Sequence, residues 1–245
     1  MLDSIIQGDC LDVMREIPAG SIDMILCDLP YGVTRNKWDV VIPEVSLWEQ
    51  YERIIKPNGA MVLTCSQPFT SMLLMSNKKL FRYSLVWQKT TPTGFLNAKR
   101  MPMRTHEDIL VFYKKLPTYN PQKTLGHKRK VSSAKHKENC IKTEDYGKHG
   151  LTDYDSTERY PTSILTFSTD KQKGALHPTQ KPISLFEYLI KTYTNEGETV
   201  LDNCIGSGTT AIAAMNTGRH FIGIEKEAQY VDMSNIRIRG GNLDG

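Results

Sequence analysis

Thr199-Val200-Leu201-Asp202-Asn203-Cys204-Ile205-Gly206-Ser207-Gly208-Thr209-Thr210 is the stretch that decides the fold. It begins as a short buried strand, passes through a glycine-rich turn, and continues at helical spacing from Thr209 to Met215. The glycines permit a tight turn and close approach of backbone to a ligand. The helix that follows begins with unpaired N–H groups. Seventeen residues beyond Gly208, Glu225 closes the next strand, His220 to Ile224, where a carboxylate can accept hydrogen bonds from ribose hydroxyls. A dinucleotide site prefers G-x-G-x-x-G, but Ala211 stands at the third glycine position. With Asp202 at its head, the loop suits a ligand carrying an ammonium or sulfonium better than one carrying a pyrophosphate.

Outward from this loop, short apolar runs alternate with helical patterns. Ile5-Ile6 reads as a strand ending at Gly8-Asp9, and Cys10 to Ile17 as a short helix. Ser21 to Cys27 is a buried strand that delivers Asp28-Leu29-Pro30-Tyr31 at its end. Pro43 to Ile55 is an amphipathic helix stopped by Pro57-Asn58-Gly59, and Ala60 to Cys65 is a strand. Phe69 to Met75 and Ile183 to Tyr193 read as helices, Phe81 to Gln88 and Ile109 to Tyr113 as strands, and Lys226 to Ile238 as a last helix. The alternation predicts an α/β fold, a doubly wound and mostly parallel sheet of Rossmann-like type. Ligands bind such sheets beyond the carboxyl ends of the strands, where both polar turns fall.

Regularity is lost from Leu116 to Lys173. The expected organisation is therefore a half-domain over 1–115, an insert over 116–173, and a second half-domain over 174–245. Between Lys114 and Lys148, ten Lys/Arg stand against three Asp/Glu; the rest of the chain holds 21 against 24. Concentrated positive charge suits phosphate contacts, although a solvated lysine-rich loop has the same composition. No apolar run approaches the roughly 20 residues that span a bilayer, and the N-terminus lacks the regions of a signal peptide, so a cytoplasmic location is expected. Five cysteines (10, 27, 65, 140 and 204) occur without a C-x-x-C pair, which argues against a disulfide framework or a zinc site.

Several motifs carry a family resemblance. Asp202 to Thr210 resembles the D-P-F-x-G-S-G-T-T motif of amino-group DNA methyltransferases, and Asp28-Leu29-Pro30-Tyr31 resembles their D-P-P-Y motif. His177-Pro178-Thr179-Gln180-Lys181-Pro182 looks like their H-P-T-Q-K-P segment. Gly8-Asp9-Cys10 and His106-Glu107-Asp108-Ile109-Leu110-Val111-Phe112 are similar to two further family stretches. The catalytic motif precedes the cofactor motif, as in the family's beta class. The resemblance implies S-adenosylmethionine as cofactor, held by Asp9, Asp28, Thr179, Gln180, Lys181, Pro182, Asp202, Cys204, Gly206, Ser207, Gly208, Thr209, Thr210 and Glu225.

It also implies transfer to an exocyclic amine. Such a nitrogen is a poor nucleophile because its lone pair is delocalised, so acceptors for its protons are the right equipment. Asp28 would take one hydrogen and the Leu29 carbonyl the other, Pro30 would stiffen the turn, and Tyr31 would stack on a base flipped out of the duplex. Leu29 departs from the family's first proline, but only its carbonyl is required. Alone, Asp28 to Tyr31 is an ordinary Asp-x-Pro turn; paired with the glycine loop it becomes a catalytic candidate. No Pro-Cys dipeptide supplies the thiolate that cytosine C5 chemistry needs. Adenine N6 is the expected target, with cytosine N4 as the alternative. Other readings are a binding protein without turnover, or an RNA or protein-amide substrate. His177 reads as a turn residue before Pro178, and no metal site is expected.

The insert lies where the beta class carries target recognition. Lys123, Lys128, Arg129, Lys130, Lys135 and Lys137 are the expected phosphate contacts, and Tyr119, Tyr146 and Tyr154 could stack or wedge. DNA is the expected partner, with a second copy of the chain and a cognate restriction endonuclease as further candidates.

Overall fold

The computed structural model describes residues 1–32, 39–135, 153–168 and 180–240. The chain divides into two compact units, Met1–Asn120 with Ser163–Gly245, and Pro121–Thr162. The larger unit is built on an eight-stranded sheet. In chain order its strands are β1 (Ser4–Gln7), β2 (Ile22–Asp28), β3 (Ile55–Cys65), β4 (Phe81–Thr93), β5 (Arg104–Phe112), β8 (Ile164–Phe167), β9 (Thr199–Asp202) and β10 (His220–Glu225). Their spatial order is β1-β10-β9-β2-β3-β5-β4-β8. Five of the seven pairings are parallel; β5 runs against both β3 and β4. The sheet is therefore the mostly parallel one expected.

The helices are α1 (Cys10–Arg15), α2 (Glu44–Ile54), α3 (Phe69–Ser76), α4 (Ile183–Tyr193), α5 (Thr209–Asn216) and α6 (Ala228–Ile238). Alternation along the strands splits the core into two layers. Ile25, Cys27, Met61 and Leu63 pack with Met14 of α1, Trp48 and Tyr51 of α2, and Phe69 of α3. Met24, Leu26, Ala60 and Val62 pack with Leu185, Leu189 and Tyr193 of α4 and with Ala211 and Ala214 of α5. Asp9 caps α1 by accepting from Leu11 N at 3.0 Å.

Four boundaries differ from the sequence reading. Pro57-Asn58-Gly59 does not separate helix from strand; it is taken into β3 as an irregularity in pairing with β2, where a Cβ on Gly59 would lie 2.7 Å from the Asp23 carbonyl. Ile164–Phe167, expected within the insert, is instead the edge strand of the main sheet, because Trp87 and Leu165 pair and bury there. β4 and β5 run well past the expected Gln88 and Ile109. The small unit holds a two-stranded pair, β6 (Lys130–Ser132) with β7 (Tyr154–Ser156), where no regular structure was expected.

Candidate active site

β2 and β9 are parallel neighbours, with Met24 level with Val200 and Ile25 with Leu201. The turn after Asp28 and the loop after Asp202 therefore leave the same rim of the sheet. On the far side of β9, Gln7 of β1 is level with Glu225 of β10, and Gly8 N donates to the Glu225 carbonyl at 2.9 Å. Asp9, Asp28, Asp202 and Glu225 are thus gathered along one edge, from four separate strands.

Asp28 is the most heavily engaged of these groups. Its Oδ1 accepts from Tyr31 Oη at 2.6 Å and from Thr64 Oγ1 at 2.5 Å, and its Oδ2 accepts from Lys181 Nζ at 2.6 Å. A carboxylate offers about four acceptor sites, so one remains, on Oδ2. Lys181, 7% exposed, also lies 3.3 Å from Glu107 Oε2. That contact is ionic: Glu107 Oε2 has no hydrogen bond of acceptable geometry. Glu107 Oε1 accepts from Lys89 Nζ at 2.5 Å. Burial alone would discharge both groups. The carboxylates of Asp28 and Glu107 instead hold the Lys181 ammonium raised, while Lys181 and Lys89 hold the Glu107 carboxyl below the usual range.

Tyr31 stacks on Phe69, with ring centroids 5.2 Å apart. Burial and the Asp28 charge push its hydroxyl well up, so it remains a neutral donor. Leu29 is 4% exposed and packs in the core, which accounts for an apolar side chain where the family carries proline.

In the glycine loop, Gly206 and Gly208 take φ of +52° and +83°. A Cβ on Gly208 would come 3.1 Å from Ser234 Cβ. Glu225 Oε2 accepts from Gly206 N at 2.9 Å, and Ser234 Oγ donates to the Gly206 carbonyl at 2.5 Å. Asp202 is 3% exposed; it accepts from Cys204 N at 3.1 Å and from the Thr210 hydroxyl. Burial pushes its carboxyl up to about 6. Cys10, Cys27 and Cys204, scattered in sequence, interact behind this loop, and burial pushes the Cys27 thiol up to about 12.

Besides Glu107 Oε2, two buried polar atoms find no hydrogen-bond partner among the described residues: Gln180 Nε2 and Thr209 Oγ1. Both belong to the stretches expected to hold the cofactor, and a bound polar ligand would satisfy them.

Several of the expected site residues are already engaged within the chain. Lys181 was expected on the cofactor, but its ammonium is taken by Asp28 and Glu107. Asp202 and Thr210 bond to one another and shape the loop from within. In the small unit, Lys123 pairs with Glu158 at 2.8 Å and Arg129 with Asp155 at 2.5 Å. Those acids lie beyond Lys148, outside the basic segment, and the β6–β7 pairing brings Asp155 back to the basic strand. Lys128, Lys130 and Lys135 are exposed. Lys137, Tyr146, His177, Pro178 and Thr179 lie outside the described residues. Pro182 caps α4, and Ser207 is buried with its carbonyl bonded by Arg237. Lys89 and Thr64 carried no sequence signal beyond a polar residue in a strand. Glu107 was visible only as part of a family stretch. Among the described residues no group of three or more His, Cys, Asp or Glu could hold a metal, and no helix is long and apolar enough to cross a membrane.

The sequence profile of the DNA methylase family of N6 and N4 enzymes matches residues 22–236. The DNA adenine methyltransferase YhdJ of Escherichia coli K12 is 29% identical over 251 residues, spanning 96% of this chain and 82% of the relative. The type II methyltransferase M2.DpnII of Streptococcus pneumoniae is 26% identical over 263 residues, spanning 97% of this chain and 90% of its own. The solved complex of M1.HpyAVI with SAM superposes with a TM-score of 0.63 at 25% identity, covering 96% of this chain and 98% of that one.

Proposed function

Because this chain belongs to the DNA methylase family, we propose that it transfers the methyl group of S-adenosylmethionine to N6 of adenine in DNA. One observation carries the reading: the strands ending at Asp28 and Asp202 are parallel neighbours, so the two loops open on one rim. The adenine specificity follows YhdJ, a DNA adenine methyltransferase by name, which aligns over 96% of this chain.

When bound, S-adenosylmethionine supplies an electrophilic methyl group on a sulfonium. The residues suited to hold it are Asp9 and Glu225 for its ribose and adenine, with Gln180, Thr209 and the Gly206-Ser207-Gly208 backbone for its polar remainder. Asp28 Oδ2 has the acceptor site for one amino hydrogen and the Leu29 carbonyl takes the other. This draws the nitrogen lone pair out of the ring and aims it. Tyr31 and Thr64 fix Oδ1, and Lys181 fixes Oδ2, so the carboxylate does not turn away as the base arrives. The methyl group would pass from the sulfonium of the bound cofactor to the amino nitrogen, leaving a neutral thioether. The nitrogen would give up one proton to solvent while Asp28 Oδ2 and the Leu29 carbonyl hold it in place. A low-dielectric rim makes these oriented acceptors more effective than water. Double-stranded DNA reaches the site only by extruding its target base. The proposal extends to a homodimer in the cytoplasm, and to a cognate restriction endonuclease as the activity it protects against.

The test is to express the chain in a host whose DNA lacks methylated amines and analyse nucleosides by mass spectrometry. N6-methyladenine is expected; N4-methylcytosine would reassign the base, and neither mark alongside measurable cofactor binding would sink the enzyme. Asp28→Ala should lower transfer on the order of 10³-fold while cofactor affinity stays within a few-fold.

A further inference from the structure

Thr64 of β3 is level with Asp28, pairs with Ile109 of β5, and through it is level with Leu85 of β4. Beyond that level β5 carries five more residues, Arg104 to Asp108, and β4 carries eight, Val86 to Thr93. At roughly 3.3 Å per residue the pair overhangs the rim by about 15 Å. Pairing with β3 ends at Asp108 and pairing with β8 at Lys89. Farther out β4 and β5 pair only with each other, at Thr93–Arg104 after an irregularity between Gln88 and Thr93, and form a projecting arm among the described residues.

The tip of the arm is ordered. Gly94, at φ +90°, opens a 3-10 turn over Phe95–Asn97. Asn97 N donates to the Gly94 carbonyl at 3.0 Å, Ala98 N to Phe95 at 3.0 Å and Arg100 N to Asn97 at 2.8 Å. On this turn Phe95 is 77% exposed and Leu96 97% exposed. Large apolar groups held in water by a hydrogen-bonded turn are unfavourable unless something covers them. Lys99, Arg100 and Arg104 are exposed beside them, none pairs with a described acid, and no carboxylate occurs between Thr90 and His106. This is an apolar point set in unopposed positive charge, rising from the rim that holds Asp28.

We propose that the arm is a DNA wedge: Phe95 and Leu96 enter the base stack where the target base leaves it, and Lys99, Arg100 and Arg104 hold the adjoining phosphates. Apolar side chains inserted between base steps unstack them, and an extruded base leaves a gap of that kind. Unopposed cations complement a polyanion. They disfavour a symmetric contact between two copies of the tip, which would bring like charges together. The proposal rests on the reading of the chain as a DNA methyltransferase.

The experiment uses the full chain and a duplex carrying its recognition site, mapped by sequencing the DNA it methylates. The site is presented with the target adenine paired and with an abasic position opposite it. The double variant Phe95→Ala/Leu96→Ala should lose kcat/KM on the paired duplex by roughly 30-fold, and on the pre-opened duplex by less than about threefold. Equal losses on both duplexes, or none, overturn the wedge. The triple variant Lys99→Gln/Arg100→Gln/Arg104→Gln should flatten the dependence of log affinity on log salt for a non-specific duplex by about 2 to 3. An unchanged slope overturns the phosphate contacts. If sedimentation shows that the apolar variant turns a dimer into a monomer, the tip is an interface between copies and the proposal falls. Absence of any methyl transfer by the parent chain refutes the enzyme reading instead, while the salt slope still tests the arm.

Discussion

The rim of the sheet and the small unit hold charges paired at nearly the same distance, 2.6 Å for Lys181–Asp28 and 2.5 Å for Arg129–Asp155. Their surroundings differ. Lys181 is 7% exposed and bridges two carboxylates, whereas the side chain of Arg129 is 69% exposed and answers one. A buried bridge cannot be halved without stranding a charge in low dielectric. An exposed pair is screened by water and salt and separates easily. The first arrangement holds a carboxylate still, and the second holds cations in reserve that a phosphate could claim.

The contrast should be largest at Lys181. Lys181→Met leaves Asp28 and Glu107 without their shared cation and should destabilise the fold by roughly 3 to 4 kcal/mol. Methyl transfer should drop about 100-fold. Glu107 also loses a cation that keeps its carboxyl low, so the acid limb of the pH–rate profile should move upward. A variant with the parent's rate and profile would show that the bridge does not position Asp28.

Asp202 sets the next effect. Its carboxyl is raised by burial from 3.8 to about 6, with hydrogen bonds from Thr210 and Cys204 working the other way. The folded chain therefore takes up this proton before the unfolded chain does. The group's contribution to stability is full below about pH 3.8 and declines as pH rises to about 6, by up to roughly 3 kcal/mol. Asp202→Asn should flatten that part of the stability profile in denaturant titrations of the cofactor-free protein. An unaltered decline would place its origin elsewhere.

The smallest effect belongs to the small unit. Asp155→Ala frees Arg129 and should leave the thermal midpoint close to the parent's. Non-specific duplex binding should tighten a few-fold, with a salt dependence steeper by about one. Weaker binding would mean that Asp155 orders this surface for DNA and does not mask it.

How much of this was legible beforehand depends on distance along the chain. Ile183–Tyr193 has the expected bounds because its apolar spacing is a local property. Asp28 and the Gly206–Gly208 turn were legible from equally local signals: Asp28 directly follows the apolar run Met24 to Cys27, and the glycine turn lies between the short strand at Val200-Leu201 and a run at helical spacing. The arm was missed because Thr90 to Met103 has little apolar alternation and a proline in each half. Beyond Gln88–His106 its two strands meet again at Thr93–Arg104, after an irregularity that no alternation in the sequence marks. β6 and β7 were missed likewise, being three residues each and polar.

The strand–turn units, the residue types at their ends and the layered α/β class were readable from the chain alone, because periodicity and turn residues act over a few positions. Only the tertiary structure decided that Lys181 serves Asp28 across 153 residues, that Glu107 and Lys89 complete the bridge, and that acids beyond the basic segment neutralise part of it. Such pairings follow from which strands become neighbours and how deeply their ends are buried. Those are properties of the whole chain, and no short window of residues contains them.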